Sequence, residues 1–290
     1  MIIRAKMNAK KPKKSDSFLY FFLVMEFCFC FFSGCSGYHY SGLISWKEYN
    51  QYPRLNPYIL ELESESGSLI YYGVFHSLNK GHNQFREIEE QWMQFRPNVA
   101  FSEGGIWPLE KSRELSISRH GEQGFLRYLS KRDGVKLKSI EPKQIQEAIY
   151  LSRYFCVQKI KVFYILRQAV IQRMLNKSMN EKHVRCILHN FEKPPFCNIG
   201  PISVAQFETY VAQLFPELKD WRNIPEHWLY SLPPHDWLPK MFRMVNDFRN
   251  QFMIKKVLKE VKRGKRVFAV VGRSHVVMQE PVLRDRIREF

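Results

Sequence analysis

The chain has 290 residues, 45% of them hydrophobic, which is enough for one large domain or two small ones. Its net charge is +17, of which the first 34 residues contribute +4. A basic excess suits an anionic surface, but the later Lys and Arg residues are scattered along helical stretches such as "KKVLKEVKRGKR" (255–266). No RNA- or DNA-binding motif surrounds them, so they read as solvated helix faces and no nucleic-acid partner is expected.

In chain order, the first segment is a basic stretch, "MIIRAKMNAKKPKK", followed by the 15-residue apolar run "FLYFFLVMEFCFCFF" (18–32) and then "FSGC" (32–35). Small residues just before a cysteine resemble a bacterial lipobox. Residues 1–34 then form a signal peptide, and Cys35 is the lipidation site. An uncleaved N-terminal membrane anchor is the alternative, although 15 residues are short for a span. Either way the body is expected in the cell envelope, tethered to a membrane outside the cytoplasm. Residues 35–57 serve as the lipidated cysteine and linker. Of the remaining cysteines, Cys156, Cys186 and Cys197 lack CxxC spacing and do not form a zinc site; a disulfide between two of them stays open.

A domain then spans 58–290. "YILELESESGSLIYYGVF" (58–75) reads as two strands around the turn "SESG". The spacing of Phe85, Ile88, Trp92 and Phe95 predicts a helix over 82–97, with Asn83 as N-cap and Pro97 as stop. A short strand (98–105), a helix closed by Gly134 (121–134) and a strand (135–142) follow. From Gln144 to about Met174 the pattern is helical. Residues 176–240, rich in Pro and Trp, break the rhythm around one helix at 203–215. A long helix (241–264, stopped by Gly264) leads into the strand "RVFAVVG". The order predicts an α/β fold with a mostly parallel central sheet flanked by helices, and a helical Pro/Trp-rich insertion at about 143–240.

Ligands of a parallel α/β sheet sit outside the carboxyl ends of its strands. Four strands end on a side chain able to bind metal or move protons: His76 after "LIYYGVF", Glu103 after "VAFS", Glu141 after "LKSI", and His275 after "VFAVVG". Gly73 and Gly272 precede the two histidines, where the backbone bends tightly or approaches a neighbour, and count as cofactor-binding positions. His82 and Ser77 read as caps of the following helix, and His227 and His235 as structural or exposed. No Gly-rich phosphate loop, nucleophile elbow or HExxH is present.

The ordered set "GVFH", "FSEGG", "DFRNQFM" and "VVGRSH" resembles the Tiki/TraB family. The superfamily of that family also includes erythromycin esterases and ChaN-type haem-uptake lipoproteins. The similarity covers roughly 58–142 and 241–281. It rests on Gly73, His76, Glu103, Arg249, Gly272 and His275; as a metal ligand, Glu141 stands in a second tier. "RSH" departs from the small residues common in the family and predicts that Arg273 intrudes on the pocket. The resemblance implies a membrane-anchored hydrolase of peptide or ester bonds. In a metal-dependent version, His76, Glu103 and His275 hold a divalent ion (Mn, Co or Zn). In a metal-free version, His76 is general base oriented by Glu103, Arg249 steadies an oxyanion or anchors a substrate carboxylate, and His275 is acid or second donor. The alternative function is a lipoprotein that binds haem, iron or a hydrophobic small molecule without catalysis.

Overall fold

Neighbouring residues along the central strands feed two different cores. Leu69, Tyr71, Val267, Ala269 and Val271 pack on one face, while Ile70, Tyr72, Phe268 and Val270 pack on the other. Burial on both faces is why these strands are continuous apolar runs rather than alternating ones. The structure, a computed structural model, describes residues 40–52, 57–174, 177–192, 194–197, 199–230 and 236–290. Cys35, the leader and His235 lie outside the described residues.

The elements are helix α1 (Trp46–Tyr49), β1 (Tyr58–Glu63), β2 (Ser68–Val74), α2 (Gln84–Phe95), β3 (Val99–Ser102), α3 (Arg113–Arg132) and β4 (Lys136–Ser139). After them come α4 (Gln144–Leu151), α5 (Val157–Met174), α6 (Glu181–His189), α7 (Val204–Leu214), α8 (His227–Tyr230), α9 (Trp237–Val261), β5 (Arg266–Gly272) and α10 (Arg273–Arg288). The five strands form one sheet in the order β1-β2-β5-β3-β4. Only β1 runs antiparallel, as a hairpin with β2; the other three pairings are parallel. The fold is therefore α/β, with a mostly parallel sheet flanked by helices. Helices α2 and α3 cover one face, and α9 and α10 the other. Helices α4–α8 share a third core with the start of α9, built on Phe163, Leu166, Phe207 and Trp221.

Several local expectations change. Asn83 adopts helical dihedrals without a side-chain cap; the His82 ring instead accepts the Gln84 N–H at 3.3 Å. Arg96, at φ 48°, ends α2 ahead of Pro97. Helix α3 begins eight residues before 121 and kinks at Gly121, whose φ is 58°. Helix α10 carries His275 in its first turn. Among the described residues no helix is long and apolar enough to cross a membrane. Cys156, Cys186 and Cys197 are free thiols.

Candidate active site

The chain leaves β2 and β3 toward the face covered by α2 and α3, but leaves β5 toward the opposite face through α10. A crevice opens at such a divergence, outside the carboxyl ends of the strands. The side chains expected there do meet. A methyl group placed on Gly272, at the end of β5, would lie 3.5 Å from Glu103 Oε2, 3.6 Å from His76 Nε2 and 4.0 Å from His275 Cδ2. Three residues separated by up to 199 positions thus border one point.

Glu103 is the hub. Its Oε2 accepts the Gly272 N–H at 2.6 Å, and its Oε1 accepts from Arg249 Nη2 at 3.0 Å and lies 3.7 Å from His275 Nε2. Burial opposes ionisation of this carboxyl. The neighbouring imidazoles, Arg249 and the Gly272 N–H outweigh burial and hold it well below the usual carboxylate range. Arg249 is buried in α9 and donates to both Glu103 and Glu141, and to Asn246 Oδ1 at 3.2 Å. Glu141 also accepts the Gly104 N–H at 3.1 Å. The guanidinium is therefore consumed in tying the ends of β3 and β4 to α9.

Each histidine has a partner that sequence reading did not find. His76, whose ring is 60% accessible, turns Nδ1 toward Glu122 Oε2 at 3.4 Å. Glu122 is buried, and its other oxygen accepts from the Ser77 N–H and from Gln84 Nε2, both at 2.7 Å. The hydrogen bond to Glu122 raises the His76 pKa, against the opposing effect of burial. Glu122 reaches this place because α3 kinks at Gly121, where a Cβ would stand 2.9 Å from the Ser77 carbonyl. A glycine inside a helical pattern was the available signal. His275 ends a buried relay. Tyr71 O–H donates to Gln279 Oε1 at 3.0 Å, and Gln279 Nε2 donates to Asn250 Oδ1 at 2.8 Å. The same oxygen accepts from His275 Nδ1 at 2.7 Å. That order leaves the proton on Nδ1 and a bare lone pair on Nε2. Burial, then the charge of Arg249, pushes the His275 pKa down to about 3. His275 thus presents an acceptor at Nε2 and is neutral near pH 7.

The glycines differ in purpose. Gly73 is buried in β2, where a Cβ would meet the Tyr58 carbonyl at 2.8 Å and Arg273 Cα at 3.0 Å, so it serves close packing rather than ligand contact. Gly272 has φ −56° and ψ 137°, which any residue adopts; what it leaves open is space beside the three site side chains. Arg273 does not intrude on the pocket. Its Nη2 donates to the Tyr49 hydroxyl of α1 at 2.7 Å. His227 is exposed, as expected.

Two cavities flank Arg249. One, of about 220 Å³, is apolar on the side of α5, α8 and α9 and reaches His275; the other, of about 380 Å³, is polar and reaches Glu141. The first is smaller than the roughly 300–1,000 Å³ of pockets that bury drug-sized ligands. Each Glu103 oxygen already accepts one hydrogen bond, from Arg249 and from the Gly272 N–H. Among the described residues no group of three His, Cys, Asp or Glu side chains is placed to hold a metal ion. No protein-family model matches the chain, and no curated protein or solved structure does either.

Proposed function

We propose that this chain is an exported, membrane-anchored hydrolase of ester or amide bonds that works by the metal-free route of a Tiki/TraB-like site. The observation that carries the reading is the meeting of His76 Nε2, Glu103 and His275 beside Gly272. In this reading a water sits there and donates hydrogen bonds to imidazole nitrogens. His76, whose basicity Glu122 supports, takes a proton as the water oxygen bonds to the substrate carbonyl carbon. His275 stays neutral and orients the water. The tetrahedral oxyanion faces the start of α10, whose first-turn N–H groups lack a side-chain cap. When the carbon–oxygen or carbon–nitrogen bond breaks, His76 returns its proton to the leaving group. Glu103 and Arg249 are positioning residues, Glu141 holds Arg249, and helices α4–α8 act as an inserted cap over the crevice. Residues 1–34 are the export signal, and lipidated Cys35 holds the body at the cell envelope.

The test is turnover of nitrophenyl esters and of a peptide panel by the full chain in non-ionic detergent, with and without chelator. Substituting His76→Ala or His275→Ala is expected to lower kcat/KM by at least about 10²-fold, the scale of a lost general base. Wild-type rates in both variants refute the proposal, and activity abolished by chelator replaces it with the metal-dependent version.

A further inference from the structure

Arg249, the arginine singled out in the sequence, has no charge left for a ligand, because Glu103 and Glu141 both hold it. A second arginine does. Arg167, in the middle of α5, lines both cavities beside Arg249 and is half-buried. Among the described residues no carboxylate stands within ion-pair distance of it and no hydrogen bond satisfies it. Its charge is felt at His275, Glu147 and Tyr230. Glu147, whose ionised form the charge of Arg167 favours, is buried and accepts from the Tyr164 hydroxyl at 2.8 Å. A half-buried guanidinium without a direct ion pair is costly to keep, and a rigid fork of donors recognises a carboxylate in two-pronged fashion.

The surroundings specify what is attached to that carboxylate. Val170, Ile171, Met174, Leu229, Tyr230 and Phe242 line the cavity between Arg167 and His275. We infer that Arg167 is the anion-binding residue of this site, and that the substrate is an ester or amide bearing a carboxylate next to a small apolar group. The substrate class rests on the hydrolase reading above. The anion site itself does not, and the experiment separates the two. Arg167, which borders both cavities, grips the carboxylate, the apolar part fills the smaller one, and the scissile carbonyl faces His76 and His275.

The probes are hexanoate and hexanamide, alike in shape and different in charge, titrated calorimetrically into the full chain in non-ionic detergent at fixed ionic strength. Hexanoate is expected to bind at least about tenfold more tightly than hexanamide. Arg167→Met is expected to bring that ratio close to one, and Arg167→Lys to retain part of it because it keeps a charge without the fork. Wild-type protein that does not favour hexanoate, whether by binding neither probe or both equally, overturns the inference. So does full discrimination by Arg167→Met. Should that variant fail to fold, the wild-type ratio and Arg167→Lys decide. Absence of turnover in the esterase assay leaves this result standing and removes only the catalytic reading.

Discussion

Gly272→Ala separates space from fold at the candidate site, and Gly73→Ala is its control. At Gly272 the backbone angles suit alanine, and the new methyl meets its neighbours at 3.5, 3.6 and 4.0 Å, all ordinary contact distances. Alanine also restricts the unfolded chain, which stabilises by about 0.4–1 kcal/mol. It is a poorer helix N-cap than glycine, which offsets a similar amount at the start of α10. The melting temperature is therefore expected within about 2 °C of wild type. The methyl occupies the point shared by His76, Glu103 and His275, so kcat/KM for an ester is expected to fall by about 10–100-fold, as when a reacting group is displaced by an ångström. At Gly73 the methyl meets the Tyr58 carbonyl at 2.8 Å and the α10 backbone at 3.0 Å. Overpacking of that kind costs about 1–3 kcal/mol, or about 2–12 °C in a domain of this size. Thermal denaturation followed by circular dichroism, together with initial-rate kinetics on the same preparations, checks both. Wild-type kcat/KM in Gly272→Ala refutes the reasoning, because it means that no reacting atom uses that point.

Three further outcomes follow from the same geometry. His76 acts as base when neutral and its pKa is raised, chiefly by Glu122, so kcat/KM is expected to climb with a midpoint above the ordinary imidazole value of about 6.5. Glu122→Gln should move that limb to lower pH in a pH–rate profile, and an unmoved limb breaks the assignment. His275 and Glu103 both bind protons less readily folded than unfolded, so each favours the native state at higher pH. The contribution of His275 is complete above about pH 6.5 and declines toward about 3, so thermal stability of His275→Gln should depend less on pH between 6.5 and 5 than that of wild type. Equal slopes count against it. Arg249→Met strands Glu103 and Glu141 in the crevice and is expected to cost about 3–5 kcal/mol near pH 8. The deficit should shrink as acid neutralises the carboxylates, and a deficit constant in pH points to lost packing instead.

Much of the secondary structure was legible in the sequence. Continuous apolar runs marked β2 and β5, the spacing of Phe85, Ile88 and Trp92 marked α2, and glycines with positive φ at 134 and 264 marked helix ends. His76, Glu103, Glu141 and His275 were legible as well, because a residue that ends a parallel strand has only one sheet edge to go to. Arg249 could be named but its partners could not. Its bonds to Glu103 and Glu141 cross more than a hundred residues, and no local pattern records them.

What the amino-acid order determined alone was local: periodicity chooses helix or strand, and strand direction chooses the edge. The tertiary structure decided what depends on contacts distant in the chain. It placed β5 between β2 and β3, which brings the second histidine beside the first. It kinked α3 so that Glu122 reaches His76, and it fixed the His275 proton through Tyr71, Gln279 and Asn250. It also left Arg167 without a direct ion pair among the described residues while spending Arg249 on two carboxylates. A proton's position and a pKa depend on which groups lie within a few ångströms after burial, and that neighbourhood exists only once the chain has closed on itself.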